Sequence, residues 1–257
     1  FIRCFQSLIE SEENILIISS DNFDKSRATD LIEYYESFMK ADGIITIGLN
    51  VTEKRGYKVP IVSVFSNSFL KTDTVVVDFN DALFKAVKLL DSLGHKNIVF
   101  LSENLTKVKE EQYKKAMKGI NNNRTNIIRS DYRFEKAGGD GIDKLLKSGL
   151  EFSAVICAYD NIAIGAVKEL KRNGLCVPDD VSVIGFDNIS SGYYAETALT
   201  TIDSKQKEVC AAAWELLKQK IDNPYKCKRY NKIINAELVV RESVSKFKTN
   251  KKTHCKS

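Results

Sequence analysis

At 257 residues, 43% hydrophobic and 28% charged, the chain can bury one large core or two smaller ones, as ordinary globular proteins do. No apolar run approaches the roughly 20 residues that span a bilayer, and Phe1-Ile2-Arg3-Cys4-Phe5 lacks the charged-then-apolar layout of a signal peptide. The net charge of +5 matches the five lysines Lys246, Lys248, Lys251, Lys252 and Lys256, which share an acid-free tail. That points to a solvated end and excludes a broad nucleic-acid footprint.

In chain order, short apolar runs alternate with helical spacings. Ile15–Ile18, Gly43–Ile47 and Pro60–Val64 read as strands. Between the first two, Ala28–Lys40 reads as a helix with Leu31, Tyr35, Phe38 and Met39 on its apolar face. Val75–Val77 gives way at Asp78 to a helix facing inward through Leu83, Val87, Leu90 and Leu93, which Gly94 ends in a left-handed turn. Strand Ile98–Leu101, helix Glu110–Ile120, strand Asn126–Ile128 and helix Ala137–Leu146 follow. Next come strand Ala154–Ala158, helix Asn161–Arg172 and strand Val181–Ile184. A helix over Lys207–Ile221 and an alternating edge strand over Lys232–Val240 close the chain. Alternation of this kind predicts an α/β fold of parallel sheets with helices on both faces.

Catalytic constellations are scarce. With His95 and His254 the only histidines, a Ser-His-Asp or Cys-His arrangement has little to draw on, and His95, between Gly94 and Lys96, reads as a turn or surface residue. Gly138-Gly139-Asp140-Gly141 has neither phosphate-loop spacing, and no carboxylates pair at a metal-ligand spacing. The reading is a non-enzyme with no catalytic residue, metal or cofactor. The cysteines (Cys4, Cys157, Cys176, Cys210, Cys227, Cys255) form no C-x-x-C pair, and scattered thiols fit a reducing cytoplasm.

The strand ends carry more. Val181–Ile184 is apolar throughout, as strands buried on both faces are, and stops at Gly185-Phe186-Asp187-Asn188. Ligands of parallel sheets bind beyond the strands' carboxyl ends, so Asp187 is a candidate for holding a small polar ligand. Tyr159 could stack on a ring at a cleft mouth. Asp160 reads first as the cap of the following helix and second as a ligand contact.

The runs Ala158-Tyr159-Asp160-Asn161-Ile162-Ala163-Ile164-Gly165-Ala166, Gly174 to Asn188 and Leu199-Thr200-Thr201-Ile202 closely resemble the LacI/GalR family of bacterial transcription regulators. Asp42–Ile45, Leu93–Ile98 and Leu238–Ser243 extend the likeness over nearly the whole chain, in order. The resemblance implies a periplasmic-binding-protein-like fold: two Rossmann-like lobes joined by three crossovers, with a small-molecule effector between them. It implies a first lobe of residues 1–77 and 205–231, a second of 78–204 and 232–247, and a basic disordered tail over 248–257. Members bind operator DNA as dimers through an N-terminal helix-turn-helix, and effector binding alters the spacing of the DNA-binding heads. Dimer contacts are expected on helix 207–221 or on first-lobe helices. No membrane partner is implied.

Departures from the family pattern narrow the site. Phe1 to Ile18 aligns with the family's first core helix and second strand, so the headpiece and first strand have no counterpart here. Lys109 stands where an arginine usually grips effector hydroxyls, replacing a planar fork by a point charge. Tyr159 replaces a frequent Asn, Ser204 a common Gln, and Tyr132 falls at an often aromatic position. Phe65 ends a strand where several members place a polar contact. The implied effector site is Asp187, Tyr159, Lys109, Tyr132, Asp160 and Phe65, suited to a sugar, sugar derivative or nucleobase. A periplasmic solute-binding protein shares the fold; the cysteines and the Leu-Val-Val-Arg-Glu-Ser ending argue against it.

Overall fold

The computed structural model describes residues 1–22, 24–48, 57–65, 72–223 and 229–248. In chain order the elements are α1 (Ile2–Glu10), α2 (Lys25–Ser37), β1 (Ile44–Ile47), β2 (Ile61–Val64), β3 (Asp73–Asp78), α3 (Asn80–Ser92), β4 (Ile98–Glu103), α4 (Lys107–Gly119) and β5 (Asn126–Ser130). There follow α5 (Phe134–Lys147), β6 (Ala154–Cys157), α6 (Asp160–Arg172), β7 (Ser182–Phe186), α7 (Ser190–Tyr193), β8 (Thr200–Asp203), α8 (Gln206–Asp222), β9 (Asn231–Asn235) and β10 (Glu237–Val239). No helix among the described residues is long and apolar enough to cross a membrane. The chain divides into two compact units, Phe1–Asp78 with Lys205–Ile234 and Phe79–Ser204 with Asn235–Ser257.

The first unit is built on a four-stranded sheet in the order β1-β2-β3-β9, with β1, β2 and β3 parallel. Phe5 and Ile9 of α1 and Val209, Ala213, Trp214 and Leu217 of α8 bury one core with Val62, Val64 and Val75. Asp24 caps α2 by accepting from the Ser26 amide at 2.8 Å. The buried face of α2 is Ala28 and Ile32, one helical turn apart, packed with Val59 and Ile61. The predicted face is thus misphased: Phe38 is 74% exposed, with Tyr34 stacked on it. The small Ala28 lets the helix approach the sheet, while Tyr34 and Phe38 turn outward.

The predicted strand Ile15–Ile18 has no regular secondary structure and pairs with no described strand, and Ile15 is 90% exposed. A strand exists by pairing, because its backbone groups need partners. The sheet ends at β1, and among the described residues no strand edge serves this segment. The expected edge strand over Lys232–Val240 is likewise divided. β9 joins the first sheet and β10 the second, and the break falls at Ala236, next to the boundary between units.

The second unit carries a six-stranded sheet in the order β10-β8-β7-β6-β4-β5, parallel except for β10, which runs antiparallel to β8. β4, β6 and β7 are buried along their whole lengths, as continuous apolar strands between helices should be. α3 buries Leu83, Val87 and Leu90 as predicted, and Gly94 ends it at φ +93°. The Gly138 cluster has a packing role. A Cβ on Gly138 would lie 2.0 Å from the Ile162 carbonyl oxygen, and one on Gly165 would lie 1.9 Å from that of Glu135, so α5 and α6 meet backbone to backbone. β8 covers Thr200–Asp203, overlapping the Leu199–Ile202 run, which periodicity alone does not separate from loop.

His95 is buried, correcting the expectation of a surface residue. The Gly94 turn sends its ring inward to the amino ends of the central strands. Nε2 lies 2.9 Å from the Ser245 carbonyl oxygen and 3.1 Å from Ser182 Oγ, and Nδ1 lies 3.0 Å from Ser153 Oγ. A carbonyl only accepts, so Nε2 carries the proton and Nδ1 accepts from Ser153. Burial lowers the His95 pKa, partly opposed by the Ser245 bond.

Cys4, Cys157 and Cys210 are free thiols, and burial pushes the Cys157 thiol well up. Cys176 is disulfide-bonded, a departure from the reading of scattered reduced thiols. Lys248 pairs with Asp179 at 2.7 Å; the rest of the expected tail, 249–257, lies outside the described residues.

Candidate functional site

Because the middles of β4, β6 and β7 are apolar, their polar residues gather at the strand ends, where ligands of parallel sheets bind on the carboxyl side. Three neighbouring carboxyl ends deliver Glu103, then Tyr159 and Asp160, then Phe186 and Asp187. The first turn of α4 adds Lys109 to the same group. Its ammonium donates to the Ala158 carbonyl at 2.7 Å and lies 4.3 Å from the Tyr159 ring centre, 4.4 Å from Phe186 and 5.4 Å from Phe79. Three ring faces around one cation give it electrostatic support in place of water. Burial lowers the Lys109 pKa, and Asp187, Asp160 and Glu103 work against that fall. Burial also raises the Tyr159 phenol, to about 12, with Asp187 and Glu103 adding to the effect.

Asp187 sits in an uncommon backbone state, φ 101°, and Asn188 follows at φ 54°. Two consecutive left-handed non-glycine residues hold strain, which is retained where surrounding bonds over-determine it. Here the Asp187 amide donates to the Ile202 carbonyl at 2.8 Å, and Asn188 Oδ1 accepts from Arg241 Nη2 at 2.5 Å. Glu103 is buried and accepts from Arg133 Nε at 3.1 Å and from the Phe134 amide at 3.3 Å, so it anchors the loop after β5.

Asp160 corrects its sequence reading. The N-cap of α6 is Tyr159, which makes no side-chain cap bond; Asp160 is the first helical residue and is buried. Its Oδ2 accepts from the Ile189 amide at 2.8 Å and its Oδ1 from the Thr201 hydroxyl at 2.6 Å. Burial pushes this carboxyl up to about 7, against the pull of those two bonds.

Within the second unit the structure brings Lys109, Tyr159, Asp160 and Asp187 together and gives Tyr132 other surroundings, while Phe65 belongs to the first unit. The Tyr132 ring takes the Lys136 ammonium at 3.7 Å and borders an open cleft of about 380 Å³ between α5 and α6. Phe65, in the first unit at φ 60°, meets Phe1 edge-on at 5.0 Å. Sequence reasoning missed Phe79, Phe186, Glu103 and Arg241. Phe186 and Phe79 each adjoin a noted acid, Asp187 and Asp78, and that adjacency was the available signal. Nothing local marks Glu103 or Arg241.

Chemically, the face offers an acid, a partly buried ammonium and aromatic surfaces, a combination suited to hydroxyls and ring faces. Among the described residues no group of three or more His, Cys, Asp or Glu side chains could hold a metal ion. His95, at the amino ends of these strands, is bound to serines and a carbonyl and has no place in this face.

Residues 87–244 match the family described as a periplasmic binding protein-like domain. The chain is 31% identical over 191 residues to Catabolite control protein A of Priestia megaterium, covering 69% of this chain and 57% of that protein. It is 34% identical over 183 residues to the HTH-type transcriptional repressor PurR of Mannheimia succiniciproducens, covering 68% of this chain and 54% of that protein. It thus spans about half the length of these curated relatives. Among solved structures, a LacI family transcriptional regulator from Enterococcus faecium with bound ribose superposes with a TM-score of 0.82 at 22% identity, covering 96% of this chain and 93% of that one. That likeness confirms the α/β, periplasmic-binding-protein-like fold. Strand order, matched domain and relatives agree: the chain belongs to the LacI family of transcriptional regulators and carries that family's effector-binding domain.

Proposed function

We propose that this domain senses a small uncharged polyhydroxylated molecule, a sugar or sugar derivative, at the carboxyl ends of β4, β6 and β7. The carrying observation is the convergence of Lys109, Tyr159, Phe186 and Asp187 there. Asp187 accepts hydroxyl hydrogen bonds, Tyr159 supplies a ring face, and Lys109 donates as a single point charge. The E. faecium relative in fold was solved with ribose, which supports a sugar over a nucleobase. In this reading the protein is a cytoplasmic homodimer, and effector binding controls the grip of a helix-turn-helix on operator DNA. Relatives named as HTH-type repressors support that assignment.

A thermal-shift screen against sugars, sugar phosphates, purines and nucleosides tests it. A ligand that binds only the folded state adds about 2.7 kcal/mol at a hundredfold excess over its Kd. The expected result is a concentration-dependent shift with a neutral sugar, lost in Asp187→Ala while the variant stays folded. An equal shift in Asp187→Ala would remove Asp187 from the site.

A further inference from the structure

We propose that Asp160 is the positioning residue of the effector face, holding the Asp187 carboxylate in place through the turn 187–189. The inference rests on the effector reading above and names the residue that makes its acid usable.

The turn presents three successive amides, and each has a partner. Asp187 N–H goes to the Ile202 carbonyl, Asn188 N–H to Thr201 Oγ1 at 3.3 Å, and Ile189 N–H to Asp160 Oδ2 at 2.8 Å. The second of these depends on Asp160 as well. Thr201 gives its hydroxyl proton to Asp160 Oδ1 at 2.6 Å, which leaves a lone pair on Oγ1 for the Asn188 amide. One carboxylate therefore fixes two of the three amides, directly and by relay. Both oxygens must accept. An asparagine would offer one acceptor and one NH₂ group, and either the Ile189 amide or the Thr201 hydroxyl proton would lose its partner.

The surroundings are shaped for this carboxylate. It is 1% exposed, and a Cβ on Gly185 would lie 2.0 Å from Asp160 Oδ1. Strand β7 thus carries its glycine where the carboxylate needs room. Two left-handed residues in a row do not hold themselves, so the turn's conformation is only as firm as these bonds. Preorganising Asp187 in this way spares a ligand the cost of ordering it. The titratable and charged groups around Asp160 are Asp187 after β7, Arg241 after β10, Lys109 on α4 and Cys157 on β6. Protonation of Asp160 removes one of its two acceptors, so the turn loosens as pH falls through about 7.

The test compares wild type, Asp160→Asn, Thr201→Val and Thr201→Ser in the full chain. Amide exchange is read by mass spectrometry between pH 5.5 and 8.5, corrected for intrinsic rates, and affinity is measured with D-ribose as the probe. Losing one charge-assisted bond should speed exchange in 187–193 about tenfold in Asp160→Asn and Thr201→Val, with β7 and α6 unchanged and Thr201→Ser close to wild type. Wild type should show a step in that segment near pH 7 that Asp160→Asn lacks, and ribose affinity should fall about tenfold in both impaired variants. Unchanged exchange in 187–193, or a rise shared equally by β7 and α6, overturns the positioning role. A loosened turn with undiminished ribose affinity overturns its link to the effector. If wild type binds no ribose while the turn loosens as expected, the ribose reading fails and the positioning role stands.

Discussion

β4, β6 and β7 end in opposite ways. At their amino ends a neutral His95 is bonded to Ser153, Ser182 and the Ser245 carbonyl, and every group there is matched to a partner. At their carboxyl ends the same strands gather Glu103, Asp160, Asp187 and the Lys109 ammonium, with a strained turn besides. Three shared strands hold a satisfied, uncharged cluster at one end and a concentration of charge at the other. On the proposed function, the difference separates what holds the unit together from what would meet a ligand. Buried polar groups that are fully paired specify structure, whereas perturbed charges and backbone strain mark a functional face.

The contrast can be broken most forcefully at the amino end. His95→Ala takes the imidazole partner from the Ser153 hydroxyl, leaves the Ser182 hydroxyl and the Ser245 carbonyl only the bonds between those two residues, and opens a cavity, so it should cost about 3 kcal/mol in a urea titration. Ligand binding at the other end should survive in the protein that remains folded. If ligand affinity fell while stability held, the two ends would have exchanged roles.

Acid titration sharpens the comparison because the ends respond with opposite sign. His95 has a lowered native pKa, so below about 6.5 the unfolded chain binds the proton that the native state refuses. Its contribution is complete above that pH and is lost as pH falls. Asp160 has a raised native pKa of about 7, so between about 4 and 7 the native state binds the extra proton and stability falls as pH rises. Each slope is at most about 1.4 kcal/mol per pH unit. Urea midpoints across pH 4.5 to 8 should rise more steeply with pH in Asp160→Asn than in wild type. They should rise less steeply in His95→Gln. Parallel curves for all three proteins would refute both assignments.

The smallest effect comes from the strained turn. Asp187→Gly relieves the φ of 101° and should raise stability by about 0.5 kcal/mol, allowing for glycine's greater freedom when unfolded. The same change should weaken sugar binding. Lower stability in this variant would mean that the Asp187 carboxylate stabilises the unit by more than its backbone strain costs.

Much of the second unit was legible because its signals are local. An apolar run over Val181–Ile184, helical spacing through Leu83, Val87 and Leu90, and a glycine after Leu93 each dictate their own structure. The errors arose where the outcome depends on a neighbour. Ile15–Ile18 has strand composition but pairs with no strand among the described residues. α2 turned Ala28 and Ile32 to the core in place of its aromatic residues, which periodicity does not weigh. The placement of Asp187 just past β7 could be read from position alone. Asp160 could not, because its partners Ile189 and Thr201 lie 29 and 41 residues away. Nor could Lys109's ring contacts, assembled from three separate segments.

The most direct measurement is amide exchange across the second unit, with and without the sugar that gives the largest thermal shift. Added protection is expected at 103–109, 158–160 and 186–189, with none at 93–97 or 151–153. Protection at the His95 end, with the carboxyl ends unchanged, would contradict the proposed site.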